Sequence, residues 1–314
     1  MKRLALIKDV TDFWKIYEPM FKEYSIDVVT LDIFSYKDQQ KILNEEWDGF
    51  FWRAKHDPKF RDLAKRFFSL FDKKDEVKTF PSWNDYWIYD DKMAQSFLFQ
   101  KLNIPSPNTF VFYDKDEALD FISGKSKFPL IYKASSGAGS ANVGLLKSKF
   151  QAKHYISRAF GKGIKTSSRE DLLRNYVYFQ EYLKNNDGDF RIVCFGKERI
   201  FGFYRENKPN QKFASRSGII DYGKIPNDVL ALAYSTHEKL GFPIVMSYDI
   251  MKDNDENWVV GEMSVIFGDL KSKNIYIKSP HYLVKKNEFI HLENPGDIQQ
   301  YFVDNLVKEW GWVD

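Results

Sequence analysis

The stretch FPLIYKASSGAGSANVGLL, residues 128–146, decides the class of fold that this sequence predicts. Its apolar start is typical of a strand ending at Lys133; a loop of glycine, serine and alanine follows, and 143–146 is typical of a returning strand. A loop of this composition offers backbone N–H groups that can wrap phosphate oxygens. The stretch predicts either a glycine-rich hairpin lid over a nucleotide, with Lys133 as a phosphate-binding cation, or a plain surface hairpin.

Two better-known phosphate loops do not fit the same stretch. A Walker loop needs Gly-Lys-Ser directly after its four-residue gap, whereas here Leu145-Leu-Lys-Ser follows Gly144, two residues out of step. A dinucleotide-binding loop needs a third glycine at position 142 and then a helix, but position 142 is asparagine and a strand follows. Both motifs are therefore excluded.

A second informative pattern is the polar turn between the strand-like stretches 244–251 and 258–263. A turn centred between positions 255 and 256 would place Asp249 opposite Glu262, with Ser264 on the same face. Like charges directly opposite destabilise a sheet, so this pair needs a cation between the carboxylates or a proton on one of them. Two carboxylates and a hydroxyl suit Mg²⁺. The alternative is a solvated face in a slipped register.

The stretch Gln180-Glu-Tyr-Leu183 is a strand that leads into a polar turn. Its edge backbone groups could pair with an adenine, and Asp187 or Asp189 just beyond it could bind ribose hydroxyls. Taken alone, the pattern is more typical of a surface strand.

Four cations follow on two strands and the loop after them: Arg191, Arg205, Lys212 and Arg216. Cations that converge on one side could hold a phosphoryl group and a substrate carboxylate. The alternative is dispersed surface charge. We keep all four as catalytic candidates.

The first eighty residues alternate strands with helices, which predicts a parallel, doubly wound sheet. The predicted strands are 2–7, 26–31 and 48–53. We expect Thr11 to cap the first helix, Pro19 to kink or end it, and Ser35 with Asp38 to form a capping box for the second. Arg53 ends the third strand at the usual ligand edge of such a sheet, so it is a candidate substrate contact. Further on, 151–175 predicts a polar helix with a glycine break, and 269–296 contains no motif.

Composition excludes several classes of function. The 314 residues carry a net charge of +3 from 47 basic and 44 acidic side chains, too balanced for a protein that mainly binds nucleic acid. No apolar stretch reaches the length of a signal peptide or a membrane span, and the single Cys194 favours a reducing compartment. We expect a cytoplasmic protein with neither a nucleic-acid nor a membrane partner. The 17% aromatic content has no function assigned to it.

The order of these motifs is more specific than any one of them. It begins with Asp91-Lys92 and the proline-rich 103–107, and its later members have been described: 128–141, 180–183, Asp189-Phe-Arg191, Asp249 and Glu262-Met-Ser264. This order resembles the ATP-grasp superfamily, which includes D-alanine–D-alanine ligase and glutathione synthetase. The resemblance covers roughly 80–268 and implies an α/β ATP-grasp fold with a βαβ pre-ATP-grasp domain and a small lid. The implied domains are 1–80, 81–126 for the start of the central domain, 127–187 for the lid and 188–314 for the core.

The resemblance also implies a role for each matched position. Lys92 and Lys133 would reach the ATP phosphates, and Arg191 would approach the reacting phosphate. The lid loop over the phosphates would comprise Ser136, Gly137, Gly139, Ser140 and Ala141. The adenine would be bordered by Gln180, Glu181 and Leu183, the ribose by Asp187 or Asp189, and Mg²⁺ by Asp249, Glu262 and Ser264.

Two positions depart from the usual pattern. Ser264 stands where the family usually has asparagine, as in a subgroup found with surface-polysaccharide genes. In that subgroup Phe213 would be an arginine, so Lys212 or Arg216 would have to take over its substrate contacts.

The implied activity is an ATP- and Mg²⁺-dependent carboxylate–amine ligase that works through an acyl phosphate. Its partners would be a small-molecule carboxylate and amine, from amino-acid or uronic-acid chemistry, and a homodimer is the family's habit. The alternatives are a small-molecule kinase on the same fold and an ATP-binding protein without turnover.

Overall fold

The computed structural model describes residues 1–73, 76–124, 126–137, 142–167, 172–184, 186–207, 219–268, 273–286 and 288–313. Three sheets organise this part of the chain, and a two-stranded ribbon accompanies the second. None of the helices it contains has the length and apolarity needed to cross a membrane.

The N-terminal sheet is parallel, as predicted, with strand order β2-β1-β3-β4. Its elements are β1 (Arg3–Lys8), α1 (Trp14–Lys22), β2 (Asp27–Asp32), α2 (Tyr36–Asn44), β3 (Gly49–Phe51), α3 (Pro58–Asp72) and β4 (Lys78–Phe80). The sequence interpretation did not include α3 and β4. Ser35 caps α2 by accepting from the Asp38 N–H, as predicted. The predicted capping box is not completed, because the Asp38 carboxylate accepts from the Asp32 N–H and not from Ser35.

The predicted cap of α1 is wrong, and the helix does not end at Pro19. Thr11 does not cap the helix, because its backbone N–H and its hydroxyl both bond to Asp9 in a tight turn. Pro19 lies inside the helix rather than ending it. Proline removes a helical hydrogen bond, but Tyr17 and Phe21 are fully buried on the same helix, and this packing holds the short helix together.

The second sheet has the order β5-β10-β6-β7 and carries two helices on one face. Its region comprises α4 (Trp83–Tyr86), α5 (Lys92–Lys101), β5 (Thr109–Phe112), α6 (Lys115–Gly124), β6 (Leu130–Lys133), β7 (Val143–Leu146), α7 (Lys149–Ala159), β8 (Ile164–Lys165), β9 (Leu172–Leu173) and β10 (Val177–Glu181). The predicted hairpin of β6 and β7 is confirmed. The helix predicted over 151–175 is wrong beyond Ala159, because Gly163 turns the chain with a φ of +82° into the β8–β9 ribbon.

The third and largest sheet is antiparallel, with the order β15-β14-β11-β12-β16-β17 and β13 beside β12. Its elements are β11 (Gly188–Phe195), β12 (Arg199–Glu206), β13 (Ile219–Asp221), α8 (Asn227–Lys239), β14 (Val245–Lys252), β15 (Trp258–Ser264), α9 (Lys273–Lys278), β16 (His281–Lys285), β17 (Glu288–Leu292) and α10 (Ile298–Glu309). One face packs on α8 and the other on α10. Residues of the N-terminal sheet join both clusters, so the two sheets share their cores.

Candidate functional site

Charged side chains gather at one end of one face of the large sheet. The inter-strand register places Arg191 opposite Asp249 and Asp249 opposite Glu262, while Asp189 pairs with Arg205. Because side chains alternate along a strand, these residues share a face. Further along β11, β12 and β14 the same face becomes apolar and packs on α10. The sheet therefore presents a polar end beside a buried apolar one.

The predicted pairing of Asp249 with Glu262 is confirmed, but the predicted turn centre is wrong by half a residue. Lys252 pairs with Trp258, which centres the turn at Asp255, and the register then shifts between Asp249 and Ile250. The extra residue is Gly261, which forms a β-bulge. If the register of Lys252 and Trp258 continued without this bulge, Glu262 would pair with Tyr248 and point into the apolar core. A one-residue slip in register moves every side chain to the other face.

Asp249 is held by two arginines. Arg191 donates from Nε to Oδ1 and from an Nη atom to Oδ2, both at 2.9 Å, and Arg205 lies 2.9 Å from Oδ2. Burial would raise the pKa of Asp249, but the two guanidinium groups outweigh it and hold that pKa well below its usual value. Asp249 is therefore ionised at neutral pH.

Arg205 also bonds Asp189, with 2.5 Å between Nε and Oδ1. Burial, with repulsion from Asp249, raises the pKa of Asp189 to about 6. The four groups form an alternating network of charge, and Arg205 stands at its centre with 13% of its side chain exposed.

Lys92 begins α5, whose N-cap is Asp91. Its Nζ donates to the Gly137 carbonyl at 2.9 Å and lies 3.3 Å from Glu262 Oε1. Burial lowers the pKa of Lys92, but the carboxylates of Glu262 and Asp90 outweigh it, so the pKa lies above the usual lysine value. Lys92 thus joins the second sheet to the large sheet.

Lys133 ends β6 and makes no ion pair with any residue the structure describes. Its ammonium group lies 5.9 Å from the centre of the Tyr178 ring. Burial lowers its pKa to about 8, despite the opposing field of Glu262. A partly buried cation without a counter-ion among the described residues is suited to an anionic ligand.

The base of the glycine loop is tied down by two residues that the sequence interpretation missed. Asp90 accepts from the Gly137 N–H at 2.9 Å, and Asn142 donates to the Ser136 carbonyl at 2.9 Å. The Asp90-Asp91 doublet before Lys92 was the available signal for the first; nothing in the sequence marked the second. The predicted loop residues Gly139, Ser140 and Ala141 lie outside the described residues, as do Lys212, Phe213 and Arg216.

The side chains of the stretch 180–183 and its neighbours mostly make contacts within the fold. Gln180 is buried and donates to the hydroxyls of Thr109 and Tyr178, while the Glu181 carboxylate accepts from Asn108. Around Leu183, Asn254 bonds the neighbouring backbone groups of residues 182 and 184. Asp187 accepts through its backbone carbonyl from Asn207. The adenine and ribose roles stay predictions.

The donor set partly fits a divalent cation. Glu262 keeps 39% of its side chain exposed and faces Asp249 across neighbouring strands, as an oxygen-ligated Mg²⁺ would need. The Ser264 hydroxyl is instead engaged locally, donating to the Ile266 carbonyl at 2.8 Å. No cluster of three acidic, histidine or cysteine side chains with metal-binding spacing occurs in the described parts of the chain. The two carboxylates are the ligands this geometry supports.

Arg53 lies at the C-terminal end of the parallel sheet, but it is almost fully buried. It donates to the carbonyls of Phe267 and Gly268 and stacks 3.4 Å from the Phe13 ring centre. Its contacts fix the segment after β15 to the N-terminal sheet, and its role toward a substrate stays a prediction.

Two lysines and two carboxylates thus come together where the second sheet adjoins the large antiparallel sheet, which is the arrangement expected of an ATP-grasp protein. A family model described as the RimK-like ATP-grasp domain matches residues 89–273, more than half of the chain. The chain belongs to this family. The prediction of an ATP-grasp fold is thereby confirmed.

Named relatives agree with this family. An alpha-aminoadipate–LysW ligase, LysX, of Saccharolobus solfataricus is 25% identical over 195 residues, 59% of this chain and 66% of that protein, just under two thirds of it. The D-alanine–D-alanine ligase of Bacillus anthracis superimposes with a TM-score of 0.60 at 13% identity, covering 99% of this chain and 97% of that one. The ATP-grasp ligase PsnB, solved with a minimal precursor, Mg and ADP, gives 0.61 at 13% identity and covers 98% of both chains.

Proposed function

We propose that this chain is an ATP- and Mg²⁺-dependent ligase that joins a carboxylate to an amine through an acyl phosphate. The observation that carries the proposal is that Lys92 pairs with Glu262, which faces Asp249. Lys133 lies within the electrostatic reach of all three and forms no ion pair in the described part of the chain. Two cations for phosphate oxygens and two opposed carboxylates for a divalent ion are the set that Mg·ATP needs.

The amine is proposed to belong to an amino acid. Two of the named relatives support this, because each is a ligase for an amino acid. One is named for alpha-aminoadipate and the other for D-alanine. The uronic-acid alternative rests only on the Ser264 departure and ranks second.

Each residue has a task in the proposed reaction. Asp249 and Glu262 would hold Mg²⁺, which supplies charge neutralisation for the phosphates. Lys92 and Lys133 bind phosphate oxygens, and Arg191, with 35% of its side chain exposed, supplies a guanidinium group to the phosphoryl group being transferred. The substrate carboxylate attacks that phosphorus, ADP leaves, and the amine then displaces phosphate from the acyl carbon. The lid strands over the cleft exclude water from the acyl phosphate.

The decisive experiment measures ADP release from Mg·ATP with a panel of carboxylates, each with and without an amine. Release that requires both partners supports the ligase. ADP release with an alcohol alone would identify a kinase. A protein that binds ATP but releases no ADP with every member of the panel would be a nucleotide-binding protein without turnover. A Glu262→Gln variant that kept the wild-type rate would show that the metal hairpin is assigned to the wrong place.

A further inference from the structure

The outer edge of the large sheet is completed by a side chain. β15 is the edge strand, so its outward backbone groups have no strand to pair with. Gln95 of α5 takes that position: its Nε2 donates to the Met263 carbonyl at 2.8 Å, and its Oε1 accepts from the Met263 N–H at 3.1 Å. One amide therefore supplies both bonds that a neighbouring strand would supply at this residue.

Gln95 thus holds the backbone of Met263, which lies between two predicted metal ligands. Met263 separates Glu262 from Ser264, and its own side chain is 2% exposed on the opposite face. The bulge at Gly261 interrupts the β14–β15 ladder immediately before Glu262, so Gly261 itself has no partner residue on β14. Bonds to the Met263 backbone thus fix the direction of the Glu262 side chain.

Gln95 is itself held firmly. It is 3% exposed, and its Nε2 also donates to the Ile88 carbonyl at 3.1 Å. Lys92 lies one helical turn earlier, so the two side chains share a face of α5. The same face then gives Glu262 its cation and Met263 its backbone partner.

We propose that Gln95 is a positioning residue for the metal site, acting through the Met263 backbone to aim the Glu262 carboxylate. The inference rests on the proposed function, because it concerns how the Mg²⁺ ligand of that function is oriented. It adds a residue to which neither the motif order nor the family resemblance gave a role.

The test compares Gln95→Met with the wild type by calorimetry of ADP binding over a range of Mg²⁺ concentrations. Methionine has nearly the same length but offers no donor or comparable acceptor. Loss of a residue that orients a metal ligand typically weakens metal binding about tenfold or more. We therefore expect the Mg²⁺ concentration that gives half-maximal enhancement of ADP binding to rise about tenfold. ADP affinity without Mg²⁺ should stay unchanged.

A matched control is available on the same helix. Ser96 is also buried, and its hydroxyl donates to the Met93 carbonyl at 2.9 Å, within its own helix. Ser96→Ala should leave the Mg²⁺ requirement at the wild-type value. Gln95→Asn keeps the amide but shortens the side chain by one methylene, so it cannot make both bonds to Met263 at the same distance. It should fall between Gln95→Met and the wild type, and it replaces Gln95→Met if that variant does not fold.

The outcomes separate the two proposals. A Gln95 variant that melts at a lower temperature but keeps the wild-type Mg²⁺ requirement would overturn the positioning role and leave the proposed function standing. A wild-type protein that binds ADP with no Mg²⁺ dependence would overturn the proposed function itself, and the inference with it.

Discussion

Arg191 and Arg205 offset the negative charge of Asp249, which would otherwise repel the facing carboxylate of Glu262. From the sequence, the opposed pair required a metal ion or a proton. The structure supplies guanidinium groups to Asp249 and an ammonium group to Glu262. This could not be predicted, because Arg191 meets Asp249 only through the pairing of two strands that lie far apart in the chain. Residue types therefore located the carboxylates correctly but not their counter-ions.

Lys133 gives the site a predictable dependence on pH. Its pKa in the free protein is lowered to about 8, whereas bound phosphate favours the ammonium form and raises the pKa again. Nucleotide affinity should therefore decrease as the pH rises. It should be at its maximum below about pH 8 and fall by up to about tenfold per pH unit above it, because Lys133 of the free protein loses its proton. Calorimetric titration of Mg·ADP between neutral and alkaline pH measures this.

The control for that titration is Lys133→Arg, which shares every other titrating group. Arginine remains charged throughout the range, so its affinity should hardly change with pH. If the wild type and the variant showed the same pH profile, the alkaline loss would not belong to Lys133.

Arg205 is expected to matter for stability as much as for chemistry. Replacing it by methionine leaves Asp189 and Asp249 buried and short of a partner, and breaking a buried ion pair from one side costs about 3–5 kcal/mol. We expect a loss of about 3 kcal/mol in the free energy of unfolding, measured by urea denaturation. Lys252→Met removes an exposed pair with Glu256 and should cost at most about 0.5 kcal/mol. Equal losses in the two variants would contradict the central place of Arg205 in the network.

At the scale of elements, periodicity predicted most strands and helices, and local backbone geometry caused the errors. The hairpins of β6–β7 and β14–β15 followed from apolar stretches on either side of a polar or glycine-rich turn. Thr11 was misassigned because a serine or threonine before an apolar run can equally bond backward into a turn. The bulge at Gly261 left no signal beyond a glycine in a strand, although it decides which face Glu262 occupies.

Inserting an alanine between Gly261 and Glu262 should therefore abolish Mg-dependent nucleotide binding. With the bulge kept at Gly261, the alanine takes the place opposite Asp249, and Glu262 moves opposite Tyr248 with its carboxylate buried beside apolar side chains. A thermal-shift assay with Mg·ADP should lose its stabilisation in this variant. Inserting a glycine between Asp255 and Glu256 also lengthens the hairpin by one residue but lies in the exposed turn, so its thermal shift should survive. A thermal shift retained after the alanine insertion would mean that the register beyond the bulge does not set the face of Glu262.

On the scale of the whole molecule, the aromatic excess of the sequence has a structural account. Phe51 of the N-terminal sheet contacts Tyr17, Phe21 and Phe80 and meets Phe302 of α10, with ring centres 4.7–6.2 Å apart along this series of contacts. A second set stacks Phe50 on the rings of α3. The rings join the N-terminal sheet to the C-terminal half, a contact between distant parts of the chain that composition alone could not reveal.

Since both cores contain residues of the two halves, the chain should unfold in one transition rather than sheet by sheet. Phe302→Ala removes a fully buried ring that touches Phe51, Phe80, Phe195 and Phe267, and such truncations cost about 3–5 kcal/mol. Far-ultraviolet circular dichroism and tryptophan fluorescence should report the same shifted midpoint, because Trp52 lies in the N-terminal half and Trp258 in the C-terminal half. Phe150→Ala, at an exposed ring on α7, should leave the midpoint in place. Two separate transitions in the Phe302 variant would show that the N-terminal sheet folds independently of the ATP-grasp core.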